Sequence, residues 1–176
     1  WDVDFLGFLP GKRESRRMVG EYIICEQDLT QKTRFEDEVA YGGWPLDIHD
    51  YRGMKTNDYV AKFLPVRQAY GIPYRSLYSR NVQNLLFAGR NISASHVAMS
   101  STRVMGTCAL IGEAAGKAAA LCIKYDVAPR GLNAHIGELQ SWLLEDGLML
   151  PGLTREIPAL SRRASLNIDN VQRAVL

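Results

Sequence analysis

Residues 84–120, NLLFAGRNISASHVAMSSTRVMGTCALIGEAAGKAAA, constrain the fold more than any other part of this chain. Leu85 to Ala88 is a continuously apolar run stopped by Gly89, the pattern of a strand buried on both faces in an α/β sheet. A Ser/Thr-rich loop carrying Arg90 and Arg103 follows. From Val104 past Ala120 the residues suit a helix. Met105, Ala109, Gly112, Gly116, Ala119 and Ile123 advance by fours and threes, so they share one face. Most are tiny, which suits close approach to a sheet or a planar ligand better than filling core volume. Glu113 and Lys117 stand four apart in the favourable order on another face and add about 0.3 kcal/mol.

The flanking sequence supplies shorter elements. Residues 1–50 read as β-rich. Met18 to Cys25 is a strand candidate with Gly20 at a possible bulge site. Glu26 to Lys32 reads as a turn or short helix, and Glu38 to Tyr41 as a short strand stopped by Gly42-Gly43. Trp44-Pro45 marks a loop. Tyr59 to Val66 suits a strand. Ile72 to Leu77 reads as extended, over a site or along a sheet edge, because Pro73 removes a donor and restricts Ile72. Asn133 suits the N-cap of a helix over 134–146, with Ile136, Leu139, Leu143 and Leu144 as its apolar stripe and Gly147 just past its end. Beyond Pro151 the pattern weakens to a linker, and residues 164–169 alternate like the first strand of something further on.

Composition removes several classes of function. The chain has 176 residues, 47% hydrophobic and 23% charged, as in one ordinary soluble domain. A net charge of +2 implies no general polyanion partner, so no nucleic acid is expected. Lys12, Arg13, Arg16 and Arg17 form a local basic cluster that reads as a solvated or ion-paired face. Cys25, Cys108 and Cys122 lack metal-ligand spacing, and His49, His96 and His135 are isolated, so no metal is expected. No signal peptide stands out. The apolar run 104–123 holds Glu113 and Lys117 at its centre, which argues for a buried helix and against a membrane span. The first residue is Trp1, within sequence that looks ordered, and the expectation is a fragment or processed piece. Compartment and oligomeric state are not legible.

The central segment has a chemistry of its own. A helix N-terminus presents unpaired N–H groups and about half a positive charge. Here these belong to residues near Val104, Met105, Gly106 and Thr107, with Ser101 or Thr102 as the cap. Gly106 removes a side chain where a ring would approach. Such a site suits a phosphate, a carboxylate or the pyrimidine edge of a flavin, whose reduced form is anionic there. Arg90 and Arg103 each suit a fork for an anionic group. His96 is the nearest proton-transfer candidate. Tyr41, Trp44, Tyr74 and Tyr78 could stack on a ring or serve as core. No nucleophile elbow accompanies Ser100, Ser101 and Thr102. Residues 112–118, GEAAGKA, fail as a P-loop because the glycine spacing is short and no Ser or Thr follows Lys117. There is no G-x-G-x-x-G.

The blocks PGKRESRRMVGEY (10–22), AYGGWPLDIH (40–49), IPYRSLYSRNVQNLLFAGRNISASH (72–96) and STRVMGTCALIGEAAGKAAA (101–120) resemble the C-terminal part of bacterial FAD-dependent oxidoreductases. Their flavin fold is similar to that of fumarate reductases and succinate dehydrogenases. The resemblance covers about residues 5–150. It implies an α/β fold (α+β as a fragment): an incomplete FAD-binding Rossmann-like domain with part of a β-rich substrate domain. Residues 1–75 would end the substrate domain, 76–150 would be the C-terminal part of the FAD-binding domain, and 151–176 a linker or the start of a further domain.

The resemblance also implies hydride transfer between a small-molecule substrate and FAD, with the ADP half of FAD held by an N-terminal part of the same protein. Met105, Gly106 and Thr107 match the helix start that meets the flavin, and Ser101, Thr102 and Gly89 flank it. Arg103 matches an arginine facing substrate; His96 joins it as a catalytic candidate from the residue reading alone. Arg90 stands where the fumarate reductase group usually has glutamate. Arg13, in a family-like block, and Tyr74 are the substrate-side candidates. The competing reading is a non-enzymatic α/β fragment or binding module in which the glycines serve packing alone.

Overall fold

The structure is a computed structural model that describes residues 2, 4–5, 16–50, 52, 55, 61–155, 159–163 and 165. Arg13, the rest of the 6–15 segment, and nearly all of the alternating 164–169 stretch lie outside the described residues. In chain order the elements are α1 (Glu26–Thr30), β1 (Glu38–Gly42), β2 (Leu46–His49), β3 (Ala61–Leu64), β4 (Tyr70–Pro73), α2 (His96–Thr102), α3 (Met105–Tyr125), α4 (Ile136–Glu145) and α5 (Ala159–Arg162). Short 3₁₀ turns stand at Tyr74–Ser76, Gly89–Asn91 and Pro129–His135.

The strands form two antiparallel pairs, so the described residues make an α+β arrangement. β1 pairs with β4, placing Ala40 opposite Ile72 and Gly42 opposite Tyr70. β2 pairs with β3, placing Leu46 opposite Leu64 and His49 opposite Ala61. β2 was not legible in the sequence as a strand. The 72–77 segment is extended only as far as Pro73, where the 3₁₀ turn begins.

Two strand expectations are corrected. Leu85 to Ala88 is not a sheet strand. Leu86 forms one bridge with Tyr78, flanked by the bonds Phe87 N–H to Leu77 O (2.6 Å) and Ser79 N–H to Leu85 O (2.9 Å). Leu85 is 38% exposed. A four-residue run gains a ladder only where strands lie along its edges, and among the described residues only the 77–79 segment pairs with it. Met18 to Cys25 likewise pairs only by bridges, Gly20 with Ser79 and Ile24 with Ala94.

α3 is the central beam. Thr107, Ile111, Ala114, Ala115, Ala118 and Leu121 are buried along its inner face, against β1 and α4. The seam read from the sequence is the opposite face. Met105 is 89% and Ile123 83% exposed, and Ala109, Gly112 and Gly116 are exposed between them. Two stripes at helical spacing compete in this small-residue sequence. The core takes the one with Ile111 and Leu121, which removes more apolar area from water. Lys117 pairs with Glu113 at 3.0 Å and with Asp146 at 2.6 Å, and donates to the Trp142 carbonyl at 2.7 Å. That ties α3 to the end of α4. By length and hydropathy alone α3 would suffice to cross a membrane, but its inner face and Lys117 are engaged in this core.

α4 begins two residues later than expected. Its N-cap is His135, without a side-chain bond. Asn133 instead donates from Nδ2 to the Tyr78 hydroxyl (2.9 Å) and to the Arg130 carbonyl (2.8 Å), because Pro129 nucleates a 3₁₀ turn first. Gly147, at φ 93°, closes the far end as expected.

The β1–β4 pair is packed tightly at Gly42. A methyl group there would lie 2.3 Å from the Tyr70 hydroxyl oxygen. Tyr70 is fully buried, so it cannot swing aside. Gly42→Ala is expected to cost about 1–3 kcal/mol, read as a lowered urea midpoint with unchanged m-value.

Candidate functional site

The break between α2 and α3 organises the site. Ser95 Oγ accepts from the Ala98 N–H at 3.2 Å and caps α2. α2 ends at Arg103, whose N–H donates to the Met99 carbonyl at 3.2 Å. Val104 then turns extended (φ −69°, ψ 150°), and α3 starts at Met105 with no side-chain cap and no acid in its first turn. The Cys108 N–H bonds the Val104 carbonyl at 2.9 Å. The N–H groups of Met105, Gly106 and Thr107 precede that first intrahelical bond, so α3 itself offers them no acceptor.

Contrary to the expectation from sequence, Ser101 and Thr102 do not cap α3. They form the last turn of α2 and are buried. Ser101 Oγ donates to the Trp44 carbonyl at 2.5 Å, and the Tyr70 hydroxyl lies 2.6 Å from it. With the Ser101 proton engaged at Trp44, Tyr70 is the donor of that second bond. Burial pushes the Tyr70 phenol up to about 12. The pair pins the loop after β1 to α2.

The 3₁₀ turn at Gly89–Asn91 packs against α3. Gly89 adopts φ 81°, in the left-handed region that favours glycine. Arg90 is exposed, and its charge opposes the upward push of burial on the Cys108 thiol in the first turn of α3. Gly89, Arg90, Met105, Gly106 and Thr107 therefore gather at one end of α3. Among the described residues, and apart from chain neighbours and α3's own backbone, nothing lies within 4 Å of where a Cβ on Gly89 or Gly106 would stand.

Other sequence candidates lie elsewhere. Tyr74 is wholly buried and donates its hydroxyl to the Pro129 carbonyl at 2.8 Å. Its ring packs 5.0 Å from that of Tyr78, and burial raises its pKa. A phenol so engaged has no face toward a substrate, so the structure assigns Tyr74 to the core. Tyr78 is buried too, Tyr41 is half-buried, and Trp44 is 51% exposed. His96 is the first residue of α2 and is exposed. Seven residues of helix separate it from Arg103, about 10 Å at 1.5 Å per residue.

Two residues that sequence reading missed stand beside Arg103. Its Nη2 donates to Asp47 Oδ2 at 3.1 Å and to the Asp47 carbonyl at 3.3 Å. His49 Nε2 lies 3.1 Å from the same Oδ2. Asp47 Oδ1 is buried and has no hydrogen-bond partner among the described residues. The Arg103 side chain is 12% exposed, Asp47 20% and His49 48%, so the three lead from the helix break to the surface. The available signal was the two-residue spacing of Asp47 and His49, which puts them on one face of a strand.

The uncapped helix start, the bare glycine above it and two nearby arginines fit a flat ligand with a partly anionic edge, as the pyrimidine side of a flavin has. The model of the family described as FAD dependent oxidoreductase matches residues 3–143. No curated protein and no solved structure matches the chain.

Proposed function

This chain belongs to the FAD dependent oxidoreductase family, with FAD as cofactor, and on that premise we propose that its α2–α3 break forms the flavin-facing and substrate-facing edge of an active site. Bound FAD supplies a two-electron acceptor. The reaction is hydride transfer between a small-molecule substrate and FAD, in a flavin fold like that of bacterial fumarate reductases and succinate dehydrogenases. Residues 76–150 are proposed as the C-terminal part of a Rossmann-like FAD-binding domain, and 1–75 as the end of a substrate domain that shares its core. The ADP half of the cofactor would be held by sequence outside these 176 residues, since no G-x-G-x-x-G occurs among them.

The roles follow the geometry. The N–H groups of Met105, Gly106 and Thr107 would meet the anionic edge of the ring. Gly89 and Arg90 would flank it, with Arg90 adding positive charge. Ser101 and Thr102 would support the site from beneath. Arg103 is the proposed substrate-side cation. His96 is proposed as an acid–base group only for a ligand long enough to reach along α2, and Arg13 as a further substrate contact.

The observation that carries this reading is the open space above Gly106 at an uncapped helix start. Gly106→Val is expected to weaken FAD binding at least about tenfold, equal to 1.4 kcal/mol. The melting temperature of the FAD-free protein should hold within a few degrees, because a Cβ added there meets none of the described residues within 4 Å outside its own helix and chain neighbours. Fluorescence titration with FAD checks the first and circular dichroism the second. Unchanged FAD affinity in Gly106→Val, or a wild-type protein that carries the ADP-binding sequence as well and still binds no FAD, would overturn the placement.

A further inference from the structure

We infer that His49 is the residue that takes up the proton accompanying two-electron chemistry at the Arg103 end of this site, with Asp47 as its positioning residue. The inference rests on the flavin-dependent reading above and adds to it a proton acceptor.

The geometry is that of an oriented imidazole. With Nε2 3.1 Å from Asp47 Oδ2, the Nε2 proton is donated to the carboxylate and Nδ1 carries the lone pair. Asp47 is itself fixed by Arg103, which reaches both its carboxylate and its carbonyl. Fixing matters, since a base works only when its nitrogen is held within reach of the proton. The half-exposed ring leaves room for a ligand, whereas Asp47 is mostly covered. Asp47 Oδ1, buried and without a partner among the described residues, is a cost that a purely structural carboxylate would normally avoid. Such unsatisfied groups concentrate where an arrangement serves chemistry.

The substrate class is one whose C–H bond lies next to an O–H or N–H, an alcohol or an amine. The C–H hydrogen leaves with its electron pair to FAD, the oxidant the family supplies. The O–H or N–H electron pair becomes the second bond of the new C=O or C=N, and its proton passes to His49 Nδ1. Substrate is oxidised by two electrons, FAD is reduced by two, and His49 ends protonated. Among the described residues, the charged groups beside His49 are Asp47 on its own strand and Arg103 from the α2–α3 break, and its partner across β3 is the uncharged Ala61.

The test needs no substrate. The flavin midpoint potential of the FAD-loaded protein is measured by spectroelectrochemical titration with dithionite across pH 5–9, solvent supplying the proton. If His49 gains a proton when the flavin is reduced, the potential falls more steeply with pH than the flavin's own proton accounts for. His49→Gln is expected to flatten the slope to that of the flavin alone. His135→Gln, at a ring stacked on Tyr125 at 3.8 Å, is expected to keep the wild-type slope. An unchanged slope in His49→Gln overturns the inference while leaving the flavin reading intact. A protein that carries the ADP-binding sequence as well and takes up no FAD overturns both.

Discussion

Arg103→Ala is expected to lower turnover of the flavin-loaded protein by about 10²- to 10³-fold, the usual loss when one donor aimed at developing charge is removed. The guanidinium sits at the α2–α3 break, two residues before the uncapped start of α3. Its loss also strips Asp47 of its cation, with Oδ1 already lacking a partner among the described residues. A stability cost of about 1–3 kcal/mol should therefore accompany the kinetic one. The two effects separate in the double variant. Adding Asp47→Asn to Arg103→Ala removes the stranded charge and should recover much of the stability but none of the turnover. Arg103→Lys keeps the charge and loses the planar fork, so it should fold like wild type and remain slow. Steady-state kinetics and urea melts on the four proteins decide it. Wild-type turnover in Arg103→Ala would remove Arg103 from the site.

Tyr70→Ala should have the largest effect on folding, about 3–5 kcal/mol. The ring is fully buried between β4 and α2, and its hydroxyl holds Ser101, which in turn holds the Trp44 carbonyl. Tyr70→Phe keeps the ring and loses one donor, and should cost about 1 kcal/mol. Its signature lies at high pH. The folded phenol is pushed up to about 12 by burial, against an ordinary value of 10.0. Well below pH 10 both folded and unfolded phenols stay protonated and the stabilisation is fully present. As pH rises from there through about 12, the unfolded chain gives up its proton first and stability falls by about 2–3 kcal/mol. Tyr70→Phe should lack that part of the alkaline loss, so its melting temperature should overtake that of wild type before pH 12 is reached. Parallel curves for the two proteins would show that Tyr70 does not contribute to it.

Local signals in the chain were legible where the physics is local. Gly42-Gly43 stopping β1, Gly147 closing α4, the Glu113–Lys117 pair and the helix start near Val104 each depend on neighbours within a few residues; the Ser/Thr-rich segment read as a loop before it is α2. The cap of α3 was misread because Ser101 and Thr102 have the right chemistry for a cap. Their side chains are drawn into the core instead, Ser101 by Trp44, 57 positions away. Tyr74 was offered to a substrate for the same reason. An aromatic with a polar tip suits either role, and only the Pro129 carbonyl, 55 positions away, settles it.

By itself the sequence determined that a long small-residue helix begins after Arg103 with a glycine in its first turn, because helix periodicity and missing side chains are properties of the residues in order. Tertiary structure alone decided which stripe of that helix is buried, since two stripes satisfy the same period and only packing against β1 and α4 chooses between them. It alone also placed Asp47 and His49 beside Arg103. The charge of Asp47 draws an arginine more than 50 residues away to the end of a four-residue strand, and no spacing along the chain encodes that meeting.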